Sequence, residues 1–343
     1  MTERTRAGAL AAVLLGLAAS WGVFLAGVTA LREPLGRGDY VAIWGVKARA
    51  LSRTGDVASL FRLDPEGAVS HPEYPPLWPA LLALASGAVA GRYDDLAAGT
   101  LWPLLALSAA LLAGRAVRGP AWARAGAAAF IALLPYWRIY PGYAEGLLAV
   151  LLLASVAELD RLDETPAATF RLAALLTLAC WTKQEGAVAA IAVSAGLLLA
   201  GRRKAGLVTG LSSVAFGILP WLLVLVLRGP GISRADYVFW RASLGKLATA
   251  SEALLSLALL PNVAWLLGAG ALLALAPEVR ARRRGLLFGA AAMAVLLLGA
   301  TAWTRLDPTW LVRWSWDRLA FLLVATLVPV FAEAASEPFR SET

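Results

Sequence analysis

An all-α, polytopic transmembrane helical bundle is the fold class this sequence predicts, and three observations predict it. Hydrophobic residues make up 59% of the 343 and charged residues only 16%, well below the roughly 25% charged residues of soluble domains. Ala-, Leu- and Val-rich runs recur at 7–31, 76–90, 97–113, 121–137, 146–159, 172–182, 186–200, 206–227, 253–276, 286–302 and 319–333. They give about ten to eleven apolar segments, with no internal repeat among them. Cations fall in short clusters between these runs and not on one soluble face. The net charge of +8 is therefore a topology signal, not a nucleic-acid surface. A single membrane-embedded domain, 1–343, is expected to hold every segment, with no soluble C-terminal domain. The lone Cys180 and lone His71 exclude an internal disulfide, a multi-thiolate site and a site built on several histidines. Any metal would need carboxylates.

The first run, 7–31, follows a short polar stretch and has about 25 residues, too long for the apolar core of a signal peptide. It suits an uncleaved anchor with its N-terminus inside. Residues 32–75 then form the first outer loop. Within it Tyr40, Trp44, Ala48 and Leu51 share one helical face, Arg49 and Arg53 lie opposite, and Lys47 sits at the border. That pattern predicts an amphipathic helix over 40–53, lying on the membrane surface. Asp39 immediately precedes it, placed to act as its N-cap or as a general base at the membrane boundary, and the two roles are compatible. Gly36 and Gly38 would let the loop position it. The stretch His-Pro-Glu-Tyr-Pro-Pro-Leu-Trp-Pro (71–79) allows two readings. It is a proline-broken approach to the membrane with His71 and Glu73 solvated, or a rigid turn that holds both toward Asp39.

Basic clusters at Arg115, Arg118 and Arg124, at Arg161 and Arg171, at 202–204, and at Arg280 and 282–284 should face the cytoplasm. If every segment crossed, counting from a cytoplasmic N-terminus would put the Arg115 to Arg124 cluster outside. One segment must therefore fail to cross. The segment 76–90 is short and starts in a proline cluster, which fits a re-entrant or interfacial hairpin. Ten crossings plus this hairpin bring 32–75, 91–96, 138–145, 183–185, 228–252 and 303–318 to one outer face. Cations retained there, among them Lys47, Lys183, Arg305, Arg313 and Arg318, oppose the positive-inside tendency. Headgroup anchoring accounts for about half of them, and an anionic partner such as a lipid phosphate would explain the rest.

Glu145 lies at the outer mouth of a span, where an unpaired carboxylate is costly and is more often functional than decorative. Lys183 and Glu185 flank a helix junction in Trp-Thr-Lys-Gln-Glu-Gly (181–186); Lys183 either snorkels or holds a phosphate as a point charge. The last outer loop combines Arg305, Arg313 and Arg318 with Trp303, Trp310, Trp314 and Trp316. An interfacial belt explains most of the tryptophans, while Arg318 beside Asp317 at the mouth of the final span could clamp a phosphate oxygen. No Walker loop, nucleophile elbow, zinc spacing or dinucleotide fingerprint occurs in a suitable context.

An acid in the first outer loop, a surface helix, a proline-rich turn, an acid after the fourth apolar segment and a Thr-Lys-x-x-Gly junction together resemble the GT-C-type glycosyltransferases. Those include the lipid A aminoarabinose transferases and the protein O-mannosyltransferases. The nearest likeness is to a bacterial branch of that superfamily, with His-Pro-x-Tyr-Pro before the second segment and Trp-x-x-x-x-Ser-x-Asp-Arg-Leu before the last span, here Trp310 to Leu319. The resemblance covers nearly the whole chain. It implies a GT-C-like fold in the bacterial cytoplasmic membrane, with the site facing the exterior. It also implies inverting sugar transfer from a polyprenyl-phosphate donor to a hydroxyl on a lipid, glycan or protein. On this match Asp39 is the base, Glu73 and Glu145 line the site, and Lys183 and Arg318 contact the donor phosphate, with Lys47 and His71 as further substrate contacts. Two features depart from the pattern. Gly-Asp-Tyr replaces the paired acids of better-known relatives, and no soluble outer domain follows the last span.

The expected reaction is a single displacement that needs no cofactor, since paired cations can neutralise a monophosphate leaving group; a divalent cation stays open. Two alternatives are a polytopic transporter or flippase of lipid-linked or small anionic substrates, and a non-catalytic subunit of an envelope-glycan complex. A transporter predicts polar residues deep within spans and usually a repeat, whereas here the polar residues gather at one face.

Overall fold

A computed structural model describes residues 3–32, 38–61, 71–228, 244–256, 268, 270, 273, 276–302 and 307–339. Much of the predicted run 253–276, together with Gly36, Arg234, Arg241, Trp303 and Arg305, lies outside them. Among the described residues the only regular secondary structure is helix. We number the α-helices α1 (Glu3–Arg32), α2 (Gly45–Thr54), α3 (Leu77–Ala90), α4 (Asp95–Gly99), α5 (Leu101–Arg115), α6 (Ala121–Leu133), α7 (Tyr136–Ile139) and α8 (Ala144–Leu159). They continue as α9 (Pro166–Thr182), α10 (Gln184–Leu199), α11 (Arg203–Ser212), α12 (Leu219–Arg228), α13 (Leu244–Ser256), α14 (Pro277–Arg282), α15 (Arg284–Ala302) and α16 (Pro308–Ser336).

Local chemistry sets several boundaries. Asp94 accepts a hydrogen bond from the Ala97 amide and starts α4. Thr165 caps α9, with Pro166 filling the first helical position, and Asp307 caps α16 ahead of Pro308. In each case an orphan amide gains a side-chain oxygen, or its donor is removed by proline.

Four helical stretches are long and apolar enough to cross a membrane: Arg6–Arg32, Asp95–Arg115, Arg203–Leu227 and Pro308–Phe339. Several other predicted segments fold as helices of 13 to 17 residues, below the roughly 20 of a free-standing span. Burial separates two roles. Only 11% of the apolar window of α1 is buried, against 78% of that of α16, so α1 turns its Leu10, Val13, Leu14, Leu17 and Trp21 outward while α16 forms the bundle axis. Helices approach closely through glycine. A Cβ on Gly22 would stand 2.5 Å from the Ala132 carbonyl oxygen, and one on Gly196 would stand 2.4 Å from that of Gly285. Small residues at such crossings let backbones touch where no hydrophobic force joins helices.

Ion pairs show how the helices are oriented. Arg318 of α16 stands beside Glu145 at the start of α8, while Arg283 links Glu333, late in α16, to Asp160 just after α8. The helices α8 and α16 therefore run parallel. Arg318 and Glu333 are fifteen residues apart, about 22 Å along a helix. The Arg318 end is termed the upper end and the Arg283 end the lower.

The segments that flank α3 both contact α2. Lys47 of α2 bonds the carbonyls of His71 and Tyr74 before α3, and Arg49 of α2 pairs with Asp95 after it. Segments on both sides of α3 are thus tied to the ten-residue α2.

Candidate functional site

The surface-helix pattern over 40–53 folds as a wide turn, Tyr40–Trp44, leading into α2. Tyr40, Trp44 and Ala48 are buried as expected. Two assignments change. Asp39 makes no capping hydrogen bond, because its carboxylate turns to Arg318 instead (Oδ2 to Nη1, 2.5 Å). Lys47 is not at a border but wholly buried. Its ammonium donates to the carbonyl oxygens of His71 (2.5 Å) and Tyr74 (3.4 Å). It pins the 71–76 turn and directs two of its donors to backbone. Burial pushes its pKa down to about 7, against an opposing pull from the Glu73 charge.

Above this turn four side chains named from the sequence form one connected set. Arg318 bonds Asp39 and approaches Glu145 Oε1 at 3.4 Å. Lys183 donates to the same Glu145 oxygen at 2.8 Å and lies 2.9 Å from Glu185 Oε1. Glu145 is 1% exposed and the Lys183 side chain 5%, while that of Asp39 is 33%, so the set opens outward at Asp39. The second carboxylate oxygens of Glu145 and Glu185 are buried without a hydrogen-bond partner. Such atoms are costly in a low-dielectric setting and await a donor. Three carboxylates thus face two cations, an excess of negative charge.

Local backbone explains how each group arrives. Gly38, at φ +53, lets the Asp39 amide donate to the Tyr143 hydroxyl at 3.0 Å; a Cβ there would stand 2.0 Å from that oxygen. Lys183 is fully extended (φ −163, ψ 162) and breaks α9 from α10. Gly186 then seats against α9, where a Cβ would come within 1.8 Å of the Ala179 carbonyl oxygen. The Arg318 guanidinium lies over the rings of Tyr143 (5.1 Å) and Tyr140 (5.9 Å), a placement that suits its planar, weakly hydrated head.

His71 and Glu73 stand at the rim. The His71 Nδ1 lies 2.9 Å from Glu73 Oε1, and the His71 backbone is left-handed (φ +46), a strained state for a residue with a Cβ. His71 and Trp44 stack on either side of Tyr74, whose ring also faces the ammonium groups of Lys47 and Lys183 at 5.8 and 5.6 Å. Tyr74 therefore joins the pinned turn to the ionic set. Arg313 is exposed, and Trp310 and Trp314 point outward at 50% and 65% exposure, as a belt would. Sequence reasoning assigned no site role to Glu185, Tyr74, Tyr140 or Tyr143; the available signal was their placement two to five residues from Lys183, His71 and Glu145. Among the described residues no three carboxylate, histidine or cysteine side chains gather as a metal-ligand set.

Fold and site together define a helical membrane protein with a buried ionic network near one end. No family model, curated protein or solved structure matches the chain.

Proposed function

We propose that this chain is a GT-C-type membrane glycosyltransferase that moves a sugar from a polyprenyl-phosphate donor to an acceptor hydroxyl, with Asp39 as base. The observation that carries the reading is the union of Asp39, Arg318, Glu145 and Lys183, drawn from four distant parts of the sequence, in one ionic network open at Asp39. A sugar brings hydroxyl donors, which match the partnerless oxygens of Glu145 and Glu185. A lipid phosphate would take the place of the Asp39 carboxylate at Arg318.

Arg318 already holds Asp39, so the donor phosphate competes for that guanidinium. Donor binding then frees the carboxylate at the moment a base is needed. Asp39 takes the acceptor proton as the acceptor oxygen bonds to the anomeric carbon. The bond from that carbon to the phosphate oxygen breaks, and the lipid phosphate leaves against Arg318 and Lys183. One displacement inverts the anomeric centre.

Orientation follows from the lower end, which collects Arg118, Arg202, Arg282, Arg283 and Arg284 in its contacts. Reading that end as cytoplasmic supports a network that faces the exterior of a bacterial cytoplasmic membrane. The charge clusters sit at the two ends and the mid-bundle hydroxyls of Ser155 and Ser194 bond backbone carbonyls, which favours a transferase over a transporter. The test is transfer from a labelled polyprenyl-phosphate sugar in vesicles. Asp39→Asn should lower the rate by about 10²- to 10⁴-fold, the usual worth of a general base; full activity in that variant would sink the assignment.

A further inference from the structure

A charged cavity of about 310 Å³ lies at the lower end, between the close of α8, the α10–α11 turn and the start of α15. That volume is at the small end of ligand sites, which begin near roughly 300 Å³, and suits a headgroup-sized molecule. Arg118, Arg202, Arg282, Arg283 and Arg284 line it. Asp160 and Asp163 are its lining carboxylates.

The arginines divide into a floor and a rim. Arg283, its side chain 4% exposed, is satisfied from below by both oxygens of Glu333, by Asp160 and by the Ala116 carbonyl. Glu333 is fully buried, so this pair is structural and forms a charge-compensated floor, which leaves the rim arginines to meet an anion. At the rim, Arg202 bonds the Leu159 carbonyl and Asp163, and Arg118 bonds the Asp160 carbonyl. Arg284 donates to the Ala200 carbonyl at 3.0 Å and has no carboxylate partner among the described residues. Each guanidinium carries five N–H donors, so the rim keeps most of its donors for something else. The cavity also takes in Gly285 and Leu286 at the start of α15, the positive end of a 19-residue helix.

We propose that this lower cavity binds a phosphate-bearing anion, supplied as the headgroup of an acidic lipid or as a soluble phosphate. It stands apart from the Asp39 network and does not depend on the glycosyltransferase reading. The test uses the full chain in phosphatidylcholine nanodiscs and reads the thermal midpoint by tryptophan fluorescence. One arm titrates inorganic phosphate at constant ionic strength; the other dopes the discs with increasing phosphatidylglycerol. Saturable stabilisation is expected in at least one arm, and that arm names the source. Arg284→Gln and, separately, Arg202→Gln should each weaken the effect by about tenfold, one charge-assisted hydrogen bond's worth. Arg115→Gln removes an equal charge at the same end but outside the cavity and should leave it unchanged. No saturable stabilisation in either arm, or an equal loss with Arg115→Gln, overturns the proposal.

Discussion

At Asp39, the ion pair with Arg318 takes the carboxylate that would otherwise cap the following helical turn. Asp39, Glu145, Lys183 and Arg318 were legible in the sequence because a charge stands out in an apolar chain. Their partners were not, since Arg318 and Asp39 are 279 residues apart. Glu145 is the residue that the network depends on most. Glu145→Gln leaves Lys183 buried with one carboxylate fewer and should destabilise by about 3–5 kcal/mol, seen as a lower thermal midpoint. The double variant Glu145→Gln/Lys183→Met should lose less than the two single changes summed, since the unpaired charge is gone; strict additivity would show the pair uncoupled. Lys47 gives a pH signature. Its pKa is about 7 in the folded chain against an ordinary 10.5, so between those values the unfolded chain holds more protons and stability rises with pH. The contribution is lowest below pH 7, where folding buries a charged ammonium. In Lys47→Met the slope across that window should flatten, as measured by thermal midpoints at a series of pH values.

Elements carry the site through their ends. The junction of α9 and α10 presents Lys183 because Lys183 is extended and Gly186 folds back on Ala179. Gly186→Ala sets a methyl group 1.8 Å from a backbone carbonyl oxygen, which no side-chain rotation relieves. We expect α10 to shift, Lys183 to leave Glu145 and folding yield to fall, whereas Gly55→Ala, where a Cβ meets open space, should cost only its left-handed backbone, about 1 kcal/mol. Solubilised yield and thermal midpoint of the two variants decide this. The junction was visible as Thr-Lys-x-x-Gly, since glycine marks close approaches in any sequence. The inward turn of Lys47 was not, because helical periodicity places a residue on a face without saying what covers that face. Here the 71–76 turn covers it.

Across the whole molecule, the two parallel helices α8 and α16 carry a charge cluster at each end, Glu145 with Arg318 above and Asp160, Glu333 and Arg283 below. The expected turn-back of α3 bears on how the chain alternates between those ends. Single cysteines at Asp56 and Arg92, both exposed, introduced into a Cys180→Ala background, should react with a membrane-impermeant maleimide from the same side of sealed spheroplasts. A cysteine at Arg115 should be protected there; labelling of positions 56 and 92 from opposite sides would mean that α3 crosses. By itself the sequence determined the membrane class and the polar residues worth attention, because hydropathy and charge clustering are local properties of the chain. Only the tertiary structure decided which charges pair, that Asp39 answers to Arg318 and that Lys47 turns inward. Ion pairing in a low-dielectric interior depends on distances of a few ångströms, and packing between segments far apart in sequence sets those distances.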